Sequence, residues 1–246
     1  MIGIIGFGRF GKLMTRYLAE DCRVRVYDIA ANAVEIESRG GVAASLEEVC
    51  AQSVVVLAVP ISALQDVLQE IRTKLAPRTL IIDVCSVKAL PLKWMVEILP
   101  AEVDILGTHP MFGPDSAGEA LQGGKIVLCR ERLAPKDYQR IKTYLESKGL
   151  IVIEATADEH DREIAVSLAL THTIGRALSE FGAGPQQIDT EGYKRLLHIL
   201  EVVENDTWQL FEDMNRFNPY AAESRNHFLN AFQGIGDKLS RTTKAH

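Results

Sequence analysis

Residues 3–11 read Gly-Ile-Ile-Gly-Phe-Gly-Arg-Phe-Gly, and this stretch narrows the possible folds more than any other. Gly6, Gly8 and Gly11 form G-x-G-x-x-G. Alone that pattern is weak, but here it follows an apolar strand and opens a helical pattern at the start of a βαβ unit. Gly6 permits a tight turn, Gly8 lets the backbone approach a pyrophosphate, and Gly11 lets helix and strand pack closely. The helix start beyond them presents unpaired N–H groups to phosphates. Arg9 and Phe10, inside the loop, are counted with the glycines as cofactor contacts. The competing reading is a glycine turn of purely structural use.

The rest of the first part alternates strand-like and helical stretches. Ile2–Ile5, Val24–Tyr27, Ser53–Val59, Leu80–Val84, Asp104–Gly107, Lys125–Cys129 and Leu150–Ile153 are rich in Ile, Val and Leu without clean alternation, as in strands covered on both faces. Amphipathic segments lie between them, which predicts a doubly wound α/β domain. From Asp158 onward no strand is legible. Asp161–Phe181, Thr190–Arg216 and Pro219–Leu239 read as three long helices, with Asn218-Pro219 as a helix start and Gly182–Pro185 as a break. The expected design is α/β: an N-terminal Rossmann-type doubly wound sheet, residues 1–157, followed by an all-helical C-terminal domain, residues 158–246. The apolar load of the helical part, including Leu196, Leu200, Trp208, Phe211, Phe228 and Phe232, predicts dimerisation through these helices.

The net charge of −6 argues against a nucleic-acid surface. Apolar runs are strand-sized, so no membrane span is expected. Met1 leads directly into a strand, which reads as no signal peptide. The four cysteines show neither C-x-x-C spacing nor disulfide density, which points to a cytoplasmic protein without a zinc site.

Ligands of an open α/β sheet bind beyond the carboxyl ends of its strands. Asp28 ends the second strand, where a carboxylate accepts from ribose hydroxyls and repels a 2′-phosphate. That favours NAD, with NADP as the alternative. Val59-Pro60 closes the third strand, beside the cofactor; Pro60 reads equally as a helix-starting proline. Two polar groups follow later strands: Asp83-Val84-Cys85-Ser86-Val87-Lys88, with Cys85 counted as a cofactor contact, and Gly107-Thr108-His109-Pro110. His109 can take a proton while hydride leaves for a nicotinamide, because its ordinary pKa is near neutrality. A serine such as Ser86 can orient that ring or bond the substrate. The strand is expected to stop at this histidine, and Gly113 and Pro114 to turn the chain away. Among the other histidines, His160 sits in the charged segment Asp158–Asp161 and reads as exposed. His172, between Thr171 and Thr173 in an apolar helix, reads either as a satisfied core histidine or as a ligand contact.

Five segments then align with one family. "DVCSVK" at 83–88, "GTHPMFGPD" at 107–115, "THTIGRAL" at 171–178 and "IDTEGYKRLL" at 188–197, together with the glycine loop, resemble prephenate and arogenate dehydrogenases, most closely the short arogenate-type members. The resemblance runs over nearly the whole chain, and the fused mutase and regulatory domains of some relatives are not expected. It implies oxidative decarboxylation with hydride transfer to NAD(P)⁺, aromatisation as driving force and no metal. It implies His109 as proton acceptor, Ser86 as its partner at the substrate hydroxyl, and His172 with Thr171 and Gly113 at the substrate. Lys88 is near by motif, with a solvated structural lysine as the other reading. One departure stands out: 196–206 holds no arginine to bind a side-chain carboxylate, while Asp206 is present. A carboxylate there would attract the ammonium of arogenate and not the keto group of prephenate; it could equally be a solvated surface acid. Prephenate dehydrogenase is the close alternative. β-Hydroxyacid dehydrogenases and imine reductases are more distant, since these usually place a lysine at the chemistry, and a cofactor-sensing module without chemistry would not need both Ser86 and His109.

Overall fold

The computed structural model describes residues 1–113 and 121–243. Two compact units divide the chain, Met1–His160 and Asp161–His246. Pro114 and Asp115 of the expected turn lie outside the described residues.

In the first unit β1 (Ile2–Ile5) leads through the glycine loop into α1 (Arg9–Ala19). β2 (Val24–Tyr27), α2 (Ala33–Ser38), β3 (Val42–Ala43), α3 (Leu46–Cys50) and β4 (Val54–Leu57) follow. A 3₁₀ turn at Ile61–Ala63 opens α4 (Leu64–Ile71). Then come β5 (Leu80–Asp83), α5 (Ala89–Ile98), β6 (Asp104–Pro110), β7 (Lys125–Arg132), α6 (Pro135–Ser147), β8 (Ile151–Glu154) and α7 (Ala157–Ile164), which begins in this unit. The strands form one sheet in the order β3-β2-β1-β4-β5-β6-β7-β8, parallel except where β6 meets β7. The order reverses between β1 and β4, which is the topological switch point where such sheets bind ligands. Central strands are buried on both faces: Ile4, Val55, Val56, Leu57, Ile81 and Leu106 are inaccessible or nearly so. This explains their lack of alternation.

The expected strand stop at His109 is corrected. β6 continues through Thr108, His109 and Pro110, because β7 folds back antiparallel and pairs His109 with Val127 and Pro110 with Ile126. Proline is tolerated because β5 ends opposite Gly107. Met111 N donates to Lys125 O at 2.8 Å, so alternate residues face β7, and Pro110 faces the side where β5 has already ended. Of the two readings of Pro60 the helix-starting one is corrected: it is extended (φ −54°, ψ 146°) and precedes the 3₁₀ turn instead of entering a helix.

The second unit is helical. After α7 the chain takes a π-helical stretch, Ala165–Leu170, before α8 (Thr171–Phe181), so the single long helix expected there is interrupted. α9 (Glu191–Glu204), α10 (Trp208–Arg216) and α11 (Ala221–Thr243) complete it. The expected helix Thr190–Arg216 is two helices. Thr207 makes the break by accepting from Leu210 N at 3.2 Å, an N-cap contributing about 1 kcal/mol. Gly175 lets α8 approach α9, since a Cβ there would collide with Val203. The expected helix start at Asn218-Pro219 is corrected: α11 begins at Ala221, and Asn218 instead closes the turn before it, its Oδ1 accepting from Tyr220 N at 2.8 Å. No helix among the described residues is long and apolar enough to cross a membrane.

Candidate active site

The three glycines of the loop answer to different constraints. Gly6 has φ 103°, and a Cβ on it would collide with the Ala58 carbonyl and crowd Val59; a Cβ on Gly11 would collide with the Gly6 carbonyl oxygen. Gly8 has nothing within 4 Å of where its Cβ would be. No atom of the described residues requires a glycine there, so the space above it fits a group that approaches the backbone. Gly8 is also the N-cap of α1, with no side-chain cap and no acidic residue in the first turn. The loop therefore fits a dinucleotide pyrophosphate.

Asp28 closes the loop from β2. Its Oδ2 accepts from Phe7 N at 2.7 Å, and its Oδ1 from Ala30 N and Ala31 N at 2.7 and 3.0 Å. A carboxylate offers about four acceptor positions, so capacity remains for a ribose hydroxyl. Phe10 lies against Phe112, ring centroids 6.4 Å apart, which brings the glycine loop together with the segment of Gly113 beyond β6.

At the ends of β5 and β6 the side chains are locked together. Lys88 is wholly buried, and its ammonium pairs with Asp83 Oδ2 and donates to Thr108 O at 2.6 Å. Thr108 Oγ1 donates to Asp83 O at 2.7 Å, and Cys85 N to Asp83 Oδ2 at 3.1 Å. The solvated reading of Lys88 is thus wrong: α5 begins immediately after it and seals it under the strand ends. The pair fixes the backbone that carries His109.

His109 is buried, and its pKa is held well below 6.5, chiefly by desolvation, then by His160 and the Lys88 charge. The ring is therefore neutral at physiological pH and retains a lone pair. Its Nδ1 lies 2.9 Å from His160 Nε2, with the rings edge to face at 72°. The exposed reading of His160 is corrected, for it is 3% accessible. Thr156 and Glu159 cap α7 reciprocally, Glu159 N donating to Thr156 Oγ1 and Thr156 N to Glu159 Oε2. That sets the helix so that 160, 161, 164 and 165 are buried while 158, 159, 162 and 163 are exposed. The 3–4 spacing of His160 with Ile164 is the available signal, masked by the charges around it in 158–163.

Ser86 is not the hydrogen-bond partner of His109. Its Oγ is buried and has no partner among the described residues, which leaves the substrate-bonding reading of this hydroxyl.

In the helical unit, His172 is buried with its pKa lowered by desolvation and Arg176, and raised in part by Asp206. Its Nε2 is 3.7 Å from Asp206 Oδ2, and its Nδ1 has no partner among the described residues. The satisfied-core reading therefore fails. Thr171 Oγ1 donates to Ser167 O at 3.0 Å within its own helix. Asp206 lies in the break between α9 and α10, not on a helix surface, and its side chain is 28% accessible. Arg176 Nη2 donates to Asp206 O at 2.5 Å, and its guanidinium lies over Trp208 and Phe211. Arg195 is exposed, and Arg225 Nη1 donates to Asn215 Oδ1 at 2.8 Å.

A parallel sheet with a glycine loop at its switch point and a neutral buried histidine at a strand end defines a nucleotide-dependent oxidoreductase. A family model described as prephenate dehydrogenase, nucleotide-binding domain, matches residues 14–154, and one described as TYRAAT1-like, C-terminal domain, matches residues 177–246. Arogenate dehydrogenase 2, chloroplastic, of Arabidopsis thaliana is 31% identical over 252 residues, covering 97% of this chain and 69% of that protein. Arogenate dehydrogenase 1, chloroplastic, of the same plant is 30% identical over 248 residues, covering 97% of this chain and 39% of its own length. The fold matches the crystal structure of A. aeolicus prephenate dehydrogenase in complex with hydroxyphenyl propionate and NAD⁺, with a TM-score of 0.76 at 19% identity over 99% of this chain and 91% of that one. The chain belongs to the prephenate dehydrogenase family, as its motifs led one to expect.

Proposed function

We propose that this protein oxidatively decarboxylates arogenate to tyrosine with NAD⁺ as hydride acceptor. The observation that carries the reading is His109: buried, kept neutral, and held through Nδ1 so that Nε2 is the nitrogen left to a ligand. NAD is favoured by Asp28 at the end of β2, with NADP as the alternative.

The bound nicotinamide supplies one thing, acceptance of hydride from the ring carbon that bears the 4-hydroxyl. The protein's part is the proton. His109 Nε2 takes the hydroxyl proton as the hydride departs, and the ring carboxylate leaves as CO₂. Its electron pair makes the ring aromatic and places a negative charge on the phenolate oxygen. His109 then returns its proton to that oxygen, so hydride, CO₂ and tyrosine balance without net proton release. Ser86 Oγ, buried and without a partner among the described residues, hydrogen-bonds the same hydroxyl. Lys88 acts by holding the β5 and β6 ends in place rather than by touching substrate.

His172, Thr171 and Asp206 contribute to substrate recognition in this reading, with the Asp206 carboxylate attracting the ammonium of arogenate. Prephenate is the second substrate considered; against it stands the absence of arginine from 196–206. A second copy of the chain covers the exposed stripe Phe232, Ile235 and Leu239 of α11, giving a homodimer, and the setting is cytoplasmic. Initial rates with arogenate and prephenate, each with NAD⁺ and NADP⁺, test the assignment; a folded protein active on neither would sink it. Light scattering tests the dimer.

A further inference from the structure

We propose that His160 is the positioning residue that sets the tautomer of His109 and steadies its protonated ring. The inference rests on His109 being the base, as argued above, and goes beyond it in assigning a residue that acts through it.

Two ring nitrogens 2.9 Å apart share one proton, so one donates and the other accepts. If His160 Nε2–H donated, neutral His109 would carry its proton on Nε2 and have no lone pair there to receive another. If His109 Nδ1–H donates, Nε2 bears the lone pair. Only the second arrangement makes a base at Nε2, and it persists after His109 is protonated, because Nδ1–H still points at His160. A histidine side chain alone in water favours the Nε2-protonated form, so the useful tautomer needs an acceptor at Nδ1.

His160 is built for that task. It is carried on a helix whose start is pinned by the Thr156–Glu159 cap, and its own N donates to Thr156 O at 3.0 Å. Both rings are buried, so water does not compete for Nδ1. The logic is that of a base oriented by a third group, with an imidazole where hydrolases use a carboxylate. The charged or titratable groups acting on His109 are His160 and Lys88, the latter beside Asp83. A neutral acceptor steadies the imidazolium less than a carboxylate would. His109 therefore stays a weak base that gives its proton back readily to a phenolate.

The test uses the full chain labelled with ¹⁵N-histidine, read by ring-nitrogen NMR without ligand, together with steady-state rates on arogenate and NAD⁺. Neutral His109 in the wild type is expected to be Nδ1-protonated. His160→Leu is expected to shift it toward the Nε2-protonated form and to lower kcat about 100-fold with KM changed less than about threefold. His160→Gln, whose amide oxygen accepts from Nδ1–H, is expected to restore the tautomer and recover kcat to within about tenfold of wild type. If His160→Leu does not fold, His160→Gln alone decides. A wild-type His109 protonated on Nε2, a His160→Leu enzyme within about twofold of wild-type kcat, or a His160→Gln enzyme with the tautomer reversed would overturn the proposal. Absence of wild-type turnover would instead sink the assigned reaction and leave the NMR outcome decisive for the tautomer.

Discussion

The first unit buries His109 and the second His172, and the two are held in opposite ways. His109 is gripped: its backbone is fixed by the Lys88–Asp83 pair and its Nδ1 by His160 at 2.9 Å. His172 is held loosely: a carboxylate stands 3.7 Å off and Nδ1 has no partner among the described residues. Burial lowers both pKa values. A gripped ring suits proton transfer, where geometry must be ready before the reaction. A ring with an orphaned nitrogen suits recognition, where the ligand completes the hydrogen bonds.

The comparison breaks most readily at its strongest point. His109→Asn is expected to lower kcat about 10³-fold with little change in cofactor affinity. The same substitution at His172 should act mainly on KM, and a His172→Asn enzyme failing chiefly in kcat would reverse the assignment. Lys88→Met leaves Asp83 buried without its ammonium and is expected to cost about 3–5 kcal/mol of stability, read by denaturant unfolding. A neutral outcome would show that the strand ends need no ionic lock. Asp206→Asn is expected to raise KM for arogenate roughly five- to tenfold while sparing prephenate, a loss of about 1–1.4 kcal/mol in discrimination. NMR titration of that variant should also show the His172 pKa lower still, because the one group that raises it has been neutralised.

The smallest effect is on stability against pH. Both histidines have folded pKa values below 6.5, so below that pH the unfolded chain binds protons the folded chain refuses. Stability is then fully present above about 6.5 and declines as pH falls toward about 5, before the carboxylates titrate. A melting temperature that rises on acidification through that window would contradict the burial of these rings.

The parallel core was legible because Val54–Leu57 and Leu80–Asp83 carry a continuous apolar code that admits no other element of that length. β6 was read short because its last residues depend on an antiparallel partner many residues away, and a proline near a strand end looks terminal unless that partner is known. Asp206 was placed on a helix because the Thr207 cap is a single hydroxyl inside an otherwise helical pattern. His160 is hidden by the charges around it: Asp158, Glu159, Arg162 and Glu163 occupy the outer face of α7, while Asp161 is buried beside it. Ser86 and His109 were found by motif, but motif gave no account of which ring nitrogen was already engaged.

The unequal glycines of the loop have a practical consequence for mutational scanning. A screen for soluble expression would reject alanine at Gly6 and Gly11, where the chain itself objects, and would accept it at Gly8, where no described residue, but an incoming pyrophosphate, would meet the new methyl group. Gly8→Ala therefore offers a separation-of-function allele: a protein that folds, melts and assembles normally while having lost its coenzyme.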